Sequence, residues 1–491
     1  MRVLFFGDLA GTGFGTVTTD LGTELLKQGV DVRFISQNDT GQVLPEPFRS
    51  RAADMVSLLQ SFDKLTGEEL GVAANGMIGR LVLGTADVKL HSGEEWGGWI
   101  PEAVILLGDY RAAQFMVDRA AEEFASIPTL HYCPIEGTDL PPDWSRLWSL
   151  TIPVAMSRFG ARQIERVVGH PVPMVYHGVD TAIFRPIERK AVVLKDTSGN
   201  FVPIGSREDA KRAWAPFLAK TNHVNRIPRK WLLRTDRNMP RKQYNRLFRA
   251  LAPVLERWPD WGLIVHCTVF DQGGYLSDSA SKYPAVRDRI LFTDANPTKP
   301  LDRETLVSLY NAADLYVSNS AEGFGLTIAE ALACGVPAVG VRYSAVPEVI
   351  GPAGVTAPRF SLIDNEYDHY WCTVDELAFG KLVEELMRND ARREALGAKG
   401  PGHVTANFSW AVAAEEFRAI LETEVDKWRT QLASRLSGNT SALPLPPASS
   451  EPDPSAPTSS SPQHGSSGSP GGSSPSNRPR PKRSRREGVR A

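Results

Sequence analysis

Two glutamates, Glu322 and Glu330, stand on either side of a glycine-containing turn in SNSAEGFGLTIAEALACGVP at residues 318–337. Just before it, AADLYVSNS has the apolar, β-branched make-up of a buried strand. After it, LTIAEALACG has helical spacing and stops at Gly335, with Pro337 beyond. A strand, a tight turn and a helix therefore follow one another. The first N–H groups of such a helix lack partners and lie at the positive end of its dipole, which makes the turn an anion site. A carboxylate placed in that turn repels phosphate but accepts hydrogen bonds from hydroxyl groups. A phosphate joined to a polyol suits both.

A second set of residues points the same way. Between Arg226 and Arg249 lie Arg229, Lys230, Arg234, Arg237, Arg241, Lys242 and Arg246, with Asp236 the only acid. A charge run is commonly a solvated helix face. Here Arg237, Arg241 and Lys242 follow a strand and precede a helix, at the carboxyl edge of a sheet where open α/β folds bind ligands. A third candidate, Gly11, Gly13 and Gly15, is spaced G-x-G-x-G rather than the G-x-G-x-x-G of a dinucleotide site, and Asp31 begins the next strand instead of ending it. This loop either turns backbone N–H groups toward a phosphate or an acceptor, or is a plain strand-to-helix turn.

These residues need sheets to hold them. The chain has 491 residues, 42% of them hydrophobic, enough for two ordinary cores. Short apolar runs (VLFFG, DVRFIS, AVILLG, IPTLHY, TIPVAMS, VPMVYHG) alternate with helix-like segments up to about residue 180. The pattern restarts at KWLLRTD and continues through WGLIVHCTV, DRILFTD, LYVSNS and VPAVGVR. Such alternation predicts parallel sheets covered by helices, here twice over. A net charge of −2 exerts no global pull toward nucleic acid or anionic lipid. Cys133, Cys267, Cys334 and Cys372 show no metal-ligand or disulfide spacing, which fits a reducing, cytoplasmic setting. MRVLFFGDLAG reads as a first strand rather than a signal peptide.

Taken together, EGFGLTIAE with ALACGVPAVG resembles the Glu-x7-Glu motif of retaining GT-B glycosyltransferases of the family-4 kind. Other matches follow in order. DLAGTGFGTVTTDLGTELLKQGVDVRFI resembles the first glycine loop and helix, VAMSRFGARQI the end of the amino-terminal domain, and YHGVDTAIF the crossover. RTDRNMPRKQYNRLFRAL resembles the basic loop and LYNAADLYVSNS the strand before the motif. The resemblance spans about residues 1–435. It implies two Rossmann-like domains facing a cleft, an acceptor domain over 1–180 and a donor domain over 181–408. A terminal helix over 409–436 would return to the first domain.

The resemblance also assigns roles for a nucleotide-sugar donor. Arg237 and Lys242, with the N–H groups of Gly325 and Leu326, would stabilise the departing diphosphate without a metal, and no DxD motif is evident. Glu322 would hold the sugar hydroxyls and Glu330 the ribose hydroxyls. Gly13, Gly15, Arg241, Gly323, Phe324 and Thr327 would line the donor site. His131 would face the donor sugar, with Asp109 and Glu136 as further cleft residues. Arg246 and Arg249 are read as surface charges. The acceptor could be a glycan, lipid, protein or small molecule. Two rivals share the architecture: a nucleotide-sugar-binding protein without turnover, and a sugar epimerase or phosphorylase.

From about residue 437 the chain becomes rich in Pro, Ser and Gly, too poor in apolar residues to form a core, and is expected to be disordered. It ends in Arg478, Arg480, Lys482, Arg483, Arg485, Arg486 and Arg490 against Glu487. Such a cluster favours weak contact with an anionic surface, for instance an inner membrane face, or acts only as a solubilising tail.

Overall fold

A computed structural model of the chain describes residues 1–9, 12–36, 55–57, 99–113, 127–188, 191–195, 201–295, 301–364 and 369–437. The tail expected to be disordered lies outside the described residues, apart from residue 437. Residues 1–433 form one compact unit containing two six-stranded sheets.

The first sheet comprises β1 (Arg2–Gly7), β2 (Asp31–Ser36), β3 (Met55–Ser57), β4 (Ala103–Leu107), β5 (Thr129–Cys133) and β6 (Ile152–Ala155). Its order is β3-β2-β1-β4-β5-β6 and every pairing is parallel. A hairpin of β7 (Val192–Lys195) and β8 (Phe201–Ile204) follows. The second sheet then begins with β9 (Lys230–Thr235) and β10 (Trp261–His266). After the short hairpin β11 (Phe270–Asp271) and β12 (Gly274–Tyr275) it is completed by β13 (Ile290–Phe292), β14 (Leu315–Ser318), β15 (Ala338–Val341) and β16 (Gly354–Ala357). Its order, β13-β10-β9-β14-β15-β16, repeats that of the first sheet, again all parallel. Both orders reverse beside their first strand, between β1 and β4 and between β9 and β14. A doubly wound sheet opens its ligand crevice at that point.

The strands form where the apolar runs are continuous because helices cover both faces. All residues of β4, β5 and β14 are buried. VPMVYHG is the exception and makes only an isolated bridge of Met174 with Ala155. Pro171 and Pro173 lack the N–H groups that a longer ladder would use.

Six helices matter for the site: α1 (Gly13–Lys27), α2 (Arg158–Val168), α3 (Tyr244–Arg257), α4 (Arg303–Ala312), α5 (Leu326–Ala333) and α6 (Trp410–Leu436). The last packs on the first sheet. Phe417 meets the Tyr132 ring of β5 at 4.7 Å, and Gln28 donates to the Ala411 carbonyl at 2.9 Å. No described helix is long and apolar enough to cross a membrane. All four cysteines are buried and free.

The sequence reading did not name β3, β16 or the three hairpins, of which one bears on the site. β17 (Arg359–Asp364) and β18 (Tyr370–Val374) form an antiparallel hairpin after the second sheet. It is tied to the segment after β5 by two backbone bonds between Thr138 and Tyr370, at 3.1 and 3.0 Å. A second tie is Glu348, whose carboxylate accepts the first N–H groups of α2, from Arg158 at 3.0 Å and Phe159 at 2.8 Å, and the Tyr176 hydroxyl at 2.8 Å. The carboxylate satisfies donors that a helix start leaves orphaned.

Candidate active site

The second reversal point carries the charged cluster. β9 ends at Thr235, and the loop beyond it supplies Asp236, Arg241 and Lys242. β14 ends at Ser318, and its loop supplies Ser320 and Glu322. Lys242 Nζ donates to both Glu322 oxygens at 2.7 Å and lies 2.6 Å from Asp236. Arg234, fully buried in β9, donates to Ser320 Oγ at 2.7 Å and to the Val317 carbonyl at 3.2 Å. It pairs with Asp236 at 2.8 Å. Ser320 in turn donates to Glu322 at 2.9 Å. Burial alone would raise the Glu322 carboxyl, but Lys242, Arg241 and Arg234 outweigh it and hold the group well below the usual carboxylate range.

Arg241 lies between two carboxylates, 3.5 Å from Glu136 and 3.6 Å from Glu322, too far for hydrogen bonds but close enough for Coulomb attraction. Glu136 belongs to the segment after β5, so the first sheet contributes to this cluster. Burial raises the Glu136 carboxyl, and neighbouring Glu322 and Asp109 add to that against Arg241 and Lys242.

The turn between Glu322 and α5 depends on two glycines. Gly325 caps α5 with φ of 105°, a left-handed conformation open to glycine at little cost. A Cβ on Gly323 would come within 2.7 Å of Pro134, so the turn meets the segment after β5 at van der Waals distance. Inside α5, the Glu330 carboxylate accepts the Tyr310 hydroxyl at 2.7 Å. Burial pushes its pKa up to about 7, against the opposing effects of Tyr310 and Arg303. Tyr310 and Tyr316 share the Thr235 hydroxyl at 2.9 and 3.1 Å, and Tyr316 donates to Thr327 at 2.8 Å. This hydroxyl chain links the end of β9 to the first turns of α5.

Several expected residues stand elsewhere. Arg237 is not in the cluster: its side chain is 56% exposed and pairs with Asp271 at 2.8 Å. Arg234 and Arg241 lie beside Glu322 instead, at 3.9 and 3.6 Å. His131 is fully buried, with Nε2 donating to the Gly108 carbonyl at 3.0 Å and Nδ1 accepting from Trp148 Nε1 at 3.2 Å. Burial lowers its pKa to about 4. The neutral imidazole has both ring nitrogens bonded inside the sheet. Phe324 is likewise a core residue, packed on His177 at 4.8 Å and Phe408 at 5.2 Å. Gly13 and Gly15 lie in the first turn of α1 rather than in a loop, where the Gly15 N–H donates to the capping Thr12 hydroxyl at 3.0 Å. Gly11 lies outside the described residues. Arg246 and Arg249 both pair with Glu376.

The sequence reading had passed over Arg234, Asp236 and Ser320 as members of the site. Their one legible signal is position, at or just beyond the carboxyl ends of β9 and β14. No group of three or more His, Cys, Asp or Glu residues suited to a metal ion occurs among the described residues.

Residues 231–366 match the family of glycosyl transferases group 1. The GDP-mannose-dependent monoacylated alpha-(1-6)-phosphatidylinositol monomannoside mannosyltransferase of Corynebacterium glutamicum is 27% identical over 282 residues, 54% of this chain and 66% of that protein. The D-inositol 3-phosphate glycosyltransferase of Corynebacterium diphtheriae is 31% identical over 35% of this chain and 38% of its own length. The chain thus spans about two thirds of the first relative and well under half of the second. Among solved structures, sucrose-phosphate synthase from Thermosynechococcus elongatus covers 90% of the chain with a TM-score of 0.53 and 16% identity, matched over 100% of its own length. Anabaena HepE, solved with UDP and glucose, covers 86% with a TM-score of 0.57 and 13% identity, also over 100% of its length. The fold is GT-B, two parallel α/β sheets of like order, and its second half carries the match to glycosyl transferases group 1.

Proposed function

We propose that the chain is a retaining glycosyltransferase of the family-4 kind, moving a sugar from a nucleotide-sugar donor to an acceptor without a metal. The observation that carries this reading is the Lys242–Glu322 pair flanked by Arg241, set at the reversal point of the second sheet and under the amino-terminal end of α5. Breaking the bond between the anomeric carbon and phosphate leaves negative charge on the diphosphate. Arg241, Lys242 and the N–H groups at the start of α5 face that charge with donors already in place. Each carboxylate oxygen has two lone pairs, so Glu322, oriented by Lys242 and Ser320, retains acceptor capacity for sugar hydroxyls. Glu330, fixed by Tyr310, accepts from the ribose. Arg234 acts through Asp236 and Ser320 and is a positioning residue.

In this reading residues 181–408 hold the donor and residues 1–180 meet the acceptor. The donor is a nucleoside diphosphate sugar, as GDP-mannose and UDP in the names of related proteins support. The chain works in the cytoplasm, and the basic end of the tail draws it weakly to anionic membrane. Salt-sensitive sedimentation with anionic vesicles tests that point.

The main experiment incubates the protein with labelled GDP-mannose, UDP-glucose and other nucleotide sugars, with and without EDTA. It follows nucleoside diphosphate release and the anomeric configuration of the product. Transfer or hydrolysis with retention, undiminished by EDTA, is expected. Binding without turnover would favour the non-catalytic rival, and an isomerised sugar nucleotide the epimerase. Activity abolished by EDTA and restored by Mn²⁺ would contradict the metal-independent mechanism.

A further inference from the structure

The cluster at the second reversal point is formally neutral. Its cations are Arg234, Arg241 and Lys242, and its carboxylates are Asp236, Glu322 and Glu136. A diphosphate that reaches Arg241 and Lys242 brings further negative charge into a buried site. Either a carboxylate withdraws or one is neutralised, since an unbalanced buried charge is costly.

The three carboxylates are not held equally. Asp236 has Lys242 at 2.6 Å and Arg234 at 2.8 Å. Glu322 has Lys242 on both oxygens and the Ser320 hydroxyl besides. Among the described residues Glu136 pairs directly with Arg241 alone, at 3.5 Å, with Lys242 acting on it from farther off. It is therefore the carboxylate most easily parted from its cation, and it alone comes from the first sheet.

We propose that Glu136 competes with the donor's diphosphate for Arg241, holding the guanidinium until the donor displaces it, so that the first half of the molecule senses occupancy of the second. This rests on the donor reading above. Glu136 is a positioning residue, acting through Arg241. Once displaced, its carboxylate faces Glu322, Asp109 and the incoming phosphate, with Lys242 as the remaining cation and the buried Cys133 thiol nearby. It takes one proton from the solvent. Burial and the neighbouring carboxylates already raise its pKa while Arg241 opposes them, so losing Arg241 raises it further.

The test is titration calorimetry of the full chain with GDP, UDP and ADP, in two buffers of different ionisation enthalpy. The parent protein and Glu136→Gln are compared from about pH 5 to 8, across the range in which a raised carboxyl group changes its proton count. The parent takes up protons on binding nucleotide, and fewer toward the alkaline end of the range. Glu136→Gln takes up less at every pH and binds about fivefold more tightly, the scale of a partly exposed ion pair. Glu330, pushed up to about 7, titrates in the same window but is common to both proteins, so the difference isolates Glu136.

Glu136→Asp is the second variant, read in the same way. It keeps a carboxylate farther from Arg241, so proton uptake persists while affinity rises by less. If Glu136→Gln binds with parental affinity and proton count, or more weakly, this inference falls while the donor reading stands. An Asp variant that loses the uptake also overturns it. If none of the three nucleotides binds the parent, the donor reading falls and this inference with it.

Discussion

Two sheets of the same order lie in this chain, and their reversal points have been put to different uses. At the first, β1 leads into α1 through Thr12, whose hydroxyl closes the helix start, while His131 on β5, one strand beyond β4, is locked between Gly108 and Trp148. At the second, the ends of β9 and β14 and their loops gather three cations with two carboxylates of their own, and Glu136, from the segment after β5, is the third. The fold provides an open crevice at both places. Among the described residues, the second fills it with charges that cannot all be satisfied by one another once a phosphate arrives. Topology thus locates where a ligand can bind, and the side chains at the strand ends decide whether one does.

Breaking the second cluster should have the largest effect. Lys242→Ala leaves Glu322 and Asp236 buried beside a missing cation, and we expect a loss of about 3–5 kcal/mol in stability. Turnover should fall by about 10²–10³ as an oxyanion donor is lost. Denaturant titration and donor hydrolysis measure the two. An unchanged melt together with unchanged hydrolysis would remove the cluster from both roles.

Glu330 yields the next effect, through pH. Its carboxyl is raised from 4.5 to about 7, so the folded protein binds the proton more tightly than the unfolded chain. Stability from this group is fully present below about pH 4.5 and is lost as pH rises through 7, by about 3 kcal/mol at most. Glu330→Gln removes that slope, so its melting temperature should gain on the parent from about pH 5 to 8. Parallel melting curves across that range would show that Glu330 does not titrate there.

The glycine turns sharpen the comparison directly. Gly325→Ala forces a side chain into φ of 105° and should cost about 1–3 kcal/mol. Gly13→Ala meets open space in the first turn of α1 and should stabilise by about 0.4–1 kcal/mol. Thermal melts of the pair should move in opposite directions. Equal shifts would mean that the two turns are not as different as their backbones are.

The smallest effect belongs to Arg237. Because it pairs with Asp271 on the surface, Arg237→Ala should change stability by about 0–1 kcal/mol, and nucleoside diphosphate affinity should stay near that of the parent. Arg241→Ala should weaken that affinity severalfold, as befits loss of a charge-assisted contact. A large loss from Arg237→Ala would return it to the phosphate site.

The sequence by itself determined ten of the twelve strands of the two sheets and their repetition, because continuous apolar runs between helical segments have few folded solutions other than covered parallel sheets. It also determined the glycine turn after β14 and the basic character of the loop after β9, since both are local. What it could not determine was which charges meet. Arg234, Arg237, Arg241 and Lys242 look alike along the chain, yet one is fully buried under Glu322, one lies against Asp271, one spans to Glu136 and one grips two carboxylates. His131 looked available because its ring partners, Gly108 and Trp148, lie 23 residues before it and 17 residues after it. The tie of the β17–β18 hairpin to Thr138 was out of reach for the same reason. Ion pairs and ring hydrogen bonds act over a few ångströms in space, and only the tertiary fold decides which distant residues come that close.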